Sequence, residues 1–281
     1  MSDSSATVTC VSASVTAGEP LAGTATEGKR WLLLEIRGGW GRDAVADSGL
    51  PPEVATALAE FPGKSILVRR PERRRGITVI RAEVDETGGS AVRQELESLA
   101  ELPSALSEEG ERISGAIVLV CAHGRRDACC ARLGPPLFSA LRPHYEPGRL
   151  WQSSHLGGHR FAPNVLVLPA GVQLGRIPVG RAAEVAALLD DGRIPLDLYR
   201  GRTIYAPPVQ AAEICVRTAT GCDGITALSL VSVDGPYVTF STPAGERTVQ
   251  VTEERGAALP VSCGAEPESP VRWVARRTST V

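Results

Sequence analysis

The pattern of hydrophobic and polar positions predicts a first series of strands and helices between residues 30 and 102. Alternating or continuously apolar runs predict strands, and apolar residues at helical spacing predict helices. The strands predicted in this way are 30–36, 65–69 and 77–84, and the helices are 51–60 and 91–102. The order is βαββα. The residues before it, 1–28, are small and polar.

A similar order recurs between residues 117 and 189. The strands predicted here are 117–121, 150–153, 164–168 and 172–177, and the helices are 130–141 and 181–189. Pro169-Ala-Gly171 is a turn signal between the last two strands. This order is typical of a thioredoxin-like α/β fold. The two series are either tandem domains or halves of one larger sheet, and the sequence does not decide between them.

The pattern changes after residue 205. A helical stretch reaches residue 217, and alternating runs follow at 225–233, 237–241 and 247–252, with a hairpin signal at Asp234-Gly235. We therefore predict four parts, the last of them a small α+β appendage. They are an N-terminal polar segment (1–28), an N-terminal α/β region of thioredoxin-like order (29–110), a thioredoxin-like domain (111–205) and a C-terminal α+β region (206–281).

Composition and charge exclude some functions. The 281 residues include 30 basic and 32 acidic side chains, so the formal net charge is −2. This balance gives no field that would draw the molecule to nucleic acid or an anionic membrane, and we expect neither as a partner. No apolar stretch reaches the roughly 18 residues of a membrane span, and the start of the chain lacks a signal-peptide pattern. We expect a cytoplasmic protein.

The chain has seven cysteines, an odd and unevenly placed set. In a reducing compartment such a set favours metal or redox chemistry over a disulfide scaffold. Cys10, Cys215, Cys222 and Cys263 are interpreted as small buried hydrophobes, with a second metal site as the alternative.

Two short motifs carry the candidate chemistry. Cys121 ends a predicted strand and is followed by the pair Cys129-Cys130, and two of the four histidines, His155 and His159, flank Leu-Gly-Gly. A helix through the two glycines is disfavoured by roughly 1 kcal/mol for each, so a loop is expected. Thiolate and imidazole together bind zinc and also hold iron–sulfur clusters. Spacing alone does not separate Cys129 from Cys130.

The segments CAHGRRDACCA (121–131) and WQSSHLGGHRFAPNVLVLPAG (151–171) resemble the signature of the sucrase/ferredoxin-like family, whose members are thioredoxin-like ferredoxins. The resemblance implies a [2Fe–2S] cluster bound by Cys121, Cys130, His155 and His159, in the 111–205 domain. It implies a soluble electron-transfer protein with a protein donor and acceptor of unknown identity, rather than an enzyme with its own substrate.

Other interpretations of the same residues stay open. Structural zinc uses similar ligands, although Cys-x₈-Cys is longer than the spacing of zinc fingers. A thioredoxin-type thiol oxidoreductase normally has Cys-x-x-Cys, which this chain lacks. His123 is either a third imidazole near the metal, a proton relay or a residue that orders its loop by a hydrogen bond. Asp127 and Arg160 flank the candidate ligands and are candidates for tuning them.

Two imidazole ligands predict proton-coupled redox chemistry. Reduction of the iron makes an imidazole proton harder to lose, so the midpoint potential should fall as pH rises between the oxidised-state and reduced-state pKa values, by up to about 59 mV per pH unit. Replacing either histidine by cysteine should reduce this slope. A redox titration at several pH values measures it, and a potential that is constant with pH contradicts the coupling.

Overall fold

The computed structural model describes residues 8–72 and 75–278. Its helices are α1 (Cys10–Thr16), α2 (Pro52–Glu60), α3 (Leu102–Ala105), α4 (Ala128–Leu141), α5 (Ala182–Asp190) and α6 (Pro207–Thr220). The strands up to residue 202 are β1 (Arg30–Glu35), β2 (Lys64–Arg69), β3 (Ile77–Glu83), β4 (Ser90–Leu96), β5 (Glu111–Arg112), β6 (Ile117–Cys121), β7 (Leu150–Ser153), β8 (Val165–Leu168), β9 (Val172–Leu174) and β10 (Tyr199–Arg202). None of the described helices combines the length and the apolar run needed to cross a bilayer.

These ten strands form one sheet in the order β10-β9-β8-β6-β7-β2-β1-β3-β4-β5. Within it, β6 is parallel to β7 and antiparallel to β8, and β8 is antiparallel to β9. The strands β2-β1-β3-β4 repeat this arrangement. The predicted thioredoxin-like α/β fold is therefore confirmed, with the order βαβββ present twice, as β1-α2-β2-β3-β4 and as β6-α4-β7-β8-β9.

The two units join through antiparallel pairing of β2 with β7, where Val68 lies opposite Ser153 and Arg69 opposite Gln152. The two predicted series are thus halves of one larger sheet. The boundaries that we drew at 110 and 205 remain a prediction.

Strand β6 lies in the middle of the second unit, and all five of its residues are buried. Side chains alternate between the two faces of a strand. Ile117, Leu119 and Cys121 accordingly pack into one apolar core, and Val118 and Val120 pack into the core on the other face. This alternation places the thiol of Cys121 in the first core, together with Cys10, Cys129 and Cys130.

The helix predicted at 91–102 is wrong. Residues 90–96 form β4, which pairs along its whole length with β3, and a 3₁₀ turn and the short α3 follow. Glu, Gln, Leu and Ala give this segment a helical composition, but pairing with β3 satisfies its backbone and buries Ala91 and Leu96. Strand preference depends on such tertiary context more than helix preference does.

The predicted polar segment 1–28 contains a helix that the pattern did not predict. Helix α1 begins after Thr9, whose side chain accepts a hydrogen bond from the backbone of Ser12 in a capping box. Residues 1–7 lie outside the described part of the chain.

The C-terminal region is a small α+β unit, as predicted. Its strands are β11 (Ser229–Asp234), β12 (Tyr237–Thr242), β13 (Gly245–Arg255), β14 (Leu259–Pro260), β15 (Pro267–Glu268) and β16 (Val271–Arg277). Helix α6 covers the sheet β11-β12-β13-β16 through Val209, Val216 and Phe240. The loop between β14 and β15 returns to α1 and α4, and residues 279–281 lie outside the described part.

Candidate metal centre

The junction between β6 and α4 positions the first two candidate ligands. Cys121 is the last residue of β6, and Asp127 caps α4, accepting a hydrogen bond of 2.8 Å from the N–H of Cys129. The cap places Cys130 in the first turn of α4. The sulfurs of Cys121 and Cys130 and a ring nitrogen of His155 all lie within 4.8 Å of one another.

Cys129 does not join this group. Consecutive helical residues point about 100° apart, so neighbouring cysteines face different surroundings. The Cys129 sulfur lies 3.5 Å from the sulfur of Cys10 and 3.4 Å from that of Cys263. The structure thus separates the two cysteines that spacing alone left ambiguous.

His155 follows β7, in the loop that carries both histidines. Its Nδ1 atom is buried and has no hydrogen-bond partner among the described residues. Its backbone N–H donates to Nδ1 of His123 (3.2 Å), whose Nε2 lies 2.6 Å from the carbonyl oxygen of Gly41. His123 therefore orders the loop and uses both ring nitrogens in doing so.

His159 lies beside the three grouped donors but outside their 4.8 Å group. Its ring centroid is 5.0 Å from that of His155, and its Nδ1 is 3.1 Å from Oδ2 of Asp127. A carboxylate that binds one ring nitrogen fixes the orientation of the ring. Nε2 is therefore the atom with which His159 would bind a metal.

Arg160, which we considered as a residue that could tune the ligands, forms an ion pair with Glu19.

Three buried side chains and the half-buried Thr26 hold the histidine loop through its backbone carbonyls. Gln173 and Thr26 donate to the carbonyl of Leu156, Arg200 donates to that of Gly157, and Asn164 donates to that of Gly158. Both glycines have positive φ, 84° at Gly157 and 67° at Gly158. A Cβ atom there would collide with Thr26 and Arg200 respectively. The loop conformation that we expected from the two glycines is thus tightly fixed.

The electrostatics favour a thiolate at the centre. The pKa of Cys121 lies well below its ordinary value because Cys130 donates a hydrogen bond to its sulfur, and His155 and the Leu156 N–H also favour the anion. The same contact and burial raise the pKa of Cys130. Burial lowers the pKa of His159, which favours the neutral, metal-binding form of the ring.

Asp127 is ionised although it is buried. Burial acts to raise its pKa, but hydrogen bonds from the N–H groups of Cys263 and Cys129 outweigh burial and lower the pKa below its ordinary value. The carboxylate connects the candidate ligand His159 to the residues around Cys129.

The sequence analysis did not predict that Cys10 and Cys263 lie next to the candidate metal centre, in contact with Cys129. They lie at opposite ends of the chain, so no local spacing could have indicated them. Cys215 and Cys222, interpreted as buried, are half-buried and pack against the core of the C-terminal unit. A cleft of about 1010 Å³ lies in the first unit, between residues such as Arg81, Glu83 and Glu108, and contains none of these cysteines or histidines.

The fold and the site define a class, a thioredoxin-like α/β protein with a cysteine–histidine candidate metal centre. The family model described as sucrase/ferredoxin-like matches residues 21–201, more than half of the chain. The chain belongs to the sucrase/ferredoxin-like family.

Several curated yeast proteins are similar to part of the chain. The protein called "Altered inheritance of mitochondria protein 32" is 31% identical in Meyerozyma guilliermondii, over 39% of this chain and 43% of that protein. In Debaryomyces hansenii the identity is 33%, over 30% of this chain and 35% of that protein. The chain therefore spans less than half the length of these relatives.

Among solved structures, a thioredoxin-like [2Fe–2S] ferredoxin from Aquifex aeolicus overlaps 32% of this chain and 94% of its own, with 19% identity and a TM-score of 0.29. The Cys55Ser variant of a thioredoxin-like [2Fe–2S] ferredoxin from the same organism overlaps 31% of this chain and 99% of its own, with 20% identity and a TM-score of 0.28. The fold assignment rests on the strand order described above.

We predict that Arg200→Met loosens the histidine loop. Arg200 is buried and donates to Gly157, Asn164 and Thr24, so its loss leaves buried acceptors without a donor, at about 1–3 kcal/mol each. Urea unfolding should show a destabilisation of at least about 2 kcal/mol. The matched control is Arg142→Met, because that arginine is 58% exposed and its ion pair with Glu72 lies at the surface. Equal midpoints for the two variants contradict the prediction.

Proposed function

We propose that this chain is a one-electron transfer protein that binds a [2Fe–2S] cluster through Cys121, Cys130, His155 and His159. One observation carries the proposal. Two cysteine sulfurs and an imidazole nitrogen from separate segments converge within 4.8 Å, and Nδ1 of His155 is buried without a partner among the described residues. A neutral imidazole nitrogen that makes no hydrogen bond keeps its lone pair free to bind a metal. The donor set thus fits the cluster.

The net charge of the ligand set suits this buried position. An oxidised [2Fe–2S] core carries +2, so two thiolates and two neutral imidazoles leave the site neutral, whereas four thiolates leave it at −2. Cys121 and Cys130 are 1% and 0% exposed. A neutral site is easier to bury than a charged one. When bound, such a cluster accepts one electron, at a potential that imidazole ligands raise from about −400 mV toward the Rieske range of about −150 to +300 mV.

The protein exposes one side of the site. Both cysteines are buried, but the His159 side chain is 14% exposed and His155 is half-buried, so the imidazoles form the side nearest to solvent. Arg125 and Arg126 are exposed on the loop before α4, and Arg126 acts electrostatically on His159. We therefore expect a redox partner to approach the imidazole side with an acidic surface, because opposite charges steer association.

Zinc at these four residues is the second candidate. A single zinc ion has bonds of about 2.0–2.3 Å and requires all four donors to lie within about 4 Å of one another. His159 lies outside the group formed by the other three donors. This favours the larger two-iron cluster. A thiol oxidoreductase is disfavoured because neither sulfur is open to a disulfide substrate.

The first test is the composition of the protein isolated without oxygen. We expect two iron atoms and two acid-labile sulfides per chain, a red-brown colour, and an EPR signal that appears on reduction with dithionite. A [2Fe–2S] cluster should give the iron and sulfide content, the colour and the EPR signal together. Colourless protein that holds zinc at the Cys121 site, with no capacity for reconstitution with iron and sulfide, contradicts the proposal.

We predict that Cys130→Ser loses the iron while Cys129→Ser keeps it, because only the Cys130 sulfur lies beside Cys121. The two variants are a matched pair, since they change neighbouring residues of one helix turn in the same way. Iron content and visible absorption measure the outcome. The reverse pattern would mean that Cys129 is the ligand.

His155→Cys gives a second prediction about the ligands. A thiolate in place of an imidazole adds negative charge, so a cluster should still form but at a lower midpoint potential. Potentiometric titration of the reconstituted variant against the unmodified protein measures the shift. An unchanged potential in a variant with full iron content would show that His155 is not a ligand.

A further inference from the structure

A second group of metal-binding side chains lies on the other side of the α4 N-terminus. Cys10, Cys129 and Cys263 place their sulfurs, and Asp127 a carboxylate oxygen, all within 4.8 Å of one another. The cysteines come from three separate segments, α1, α4 and the loop between β14 and β15. None of them is a ligand of the proposed cluster.

The sulfurs form a nearly equilateral triangle. Cys10 to Cys129 is 3.5 Å, Cys129 to Cys263 is 3.4 Å, and Cys263 to Cys10 is 3.6 Å. Tetrahedral zinc with Zn–S bonds of about 2.3 Å requires sulfurs about 3.8 Å apart. Each edge needs to lengthen by only a few tenths of an ångström. A disulfide, in contrast, requires a separation of about 2.05 Å between two of the sulfurs and leaves the third unpaired.

Asp127 offers a fourth ligand atom. Its Oδ2 already accepts hydrogen bonds from the Cys263 N–H (2.9 Å), the Ser262 hydroxyl (3.2 Å) and, at 3.1 Å, His159. Its Oδ1 accepts the Cys129 N–H and lies 3.7 Å from the Cys10 sulfur. Oδ1 therefore faces the sulfur triangle. The Cys10 thiol donates to it in a long contact, and loss of that thiol proton on metal binding leaves a lone pair of Oδ1 free to bind the ion.

The donor set selects the class of metal. Thiolates favour zinc, Cu(I) and iron–sulfur clusters, and a carboxylate oxygen among them favours zinc over Cu(I). Four ligands within the reach of one ion match the closed tetrahedral shell of a structural zinc site. Cys10 is fully buried and Cys263 is half-buried, so an ion can enter beside Cys263 from the surface.

We propose that Cys10, Cys129, Cys263 and Oδ1 of Asp127 form a structural zinc site, distinct from the cluster site at Cys121 and Cys130. The zinc ion ties the N-terminal helix, the first turn of α4 and the C-terminal loop to one point. Asp127 then joins the two sites, because its other oxygen orients His159.

The test uses the full chain, isolated without oxygen and supplied with zinc sulfate before desalting. Besides any iron, about one tightly bound zinc ion per chain is expected, as structural zinc sites retain their metal. Cys10→Ser and Cys263→Ser should each lose this zinc and keep the iron. Cys215→Ser, a cysteine of the C-terminal unit, is the matched control and should keep both metals.

Cys130→Ser separates this proposal from the proposed function. It should lose the iron and keep the zinc, so failure of one site leaves the other measurable. Zinc that persists in the Cys10→Ser, Cys263→Ser double variant, or zinc that disappears with Cys130→Ser alone, overturns the second site. Circular dichroism of each variant shows whether a loss of metal reflects a loss of fold.

X-ray absorption at the zinc edge of the unmodified protein gives a readout that needs no variant. Three sulfur ligands at about 2.3 Å and one oxygen at about 2.0–2.2 Å are expected. Two sulfurs and two nitrogens would place the zinc at Cys121, Cys130, His155 and His159 instead, and overturn the proposal. Fewer than seven free thiols in the denatured, metal-free protein would reveal a disulfide and do the same.

Discussion

The buried carboxylate of Asp127 is the interaction on which the rest of the site depends. Its side chain is fully buried, and it accepts hydrogen bonds from the first turn of α4, from the C-terminal loop and from His159. These donors belong to three separate segments of the chain, and Asp127 is a contact that all three share. Removing the carboxylate would leave several buried donors unsatisfied at once, at about 1–3 kcal/mol each.

The two units have the same strand order, but they carry different side chains at equivalent positions. The pairing of β2 with β7 aligns one residue from each of four neighbouring strands. These residues are Glu35 of β1, Val68 of β2, Ser153 of β7 and Cys121 of β6. The position of Cys121 is thus taken in the first unit by Glu35, which is buried in an ion pair of 3.0 Å with Arg70. Equivalent strand ends carry a thiol in one unit and a structural ion pair in the other, so the strand order alone does not create the site.

The sequence predicts those elements that depend on neighbouring residues, and it fails for those that depend on contacts with distant parts of the chain. The buried strand β6 and the loop around Gly157 follow from apolar continuity and from glycine, and both are present. The sequence pattern did not predict strand β4, because this segment forms a strand only through its pairing with β3.

The site shows the same division between local and distant signals. That Cys129 and Cys130 face different surroundings follows from helix geometry, once α4 is known to begin at Ala128. The meeting of Cys10 with Cys263, which lie at opposite ends of the chain, follows from no local pattern. It is a product of the whole fold.

The antiparallel junction of β2 with β7 has a consequence for how the second unit could exist alone. Without the first unit, β7 would be an open edge strand, and such edges pair with whatever strand they meet. Because β2 of the first unit pairs with β7, the first unit covers this edge. In this sense the second unit has its edge protected by a strand that is covalently attached to it, so that β7 is not available to pair with other chains.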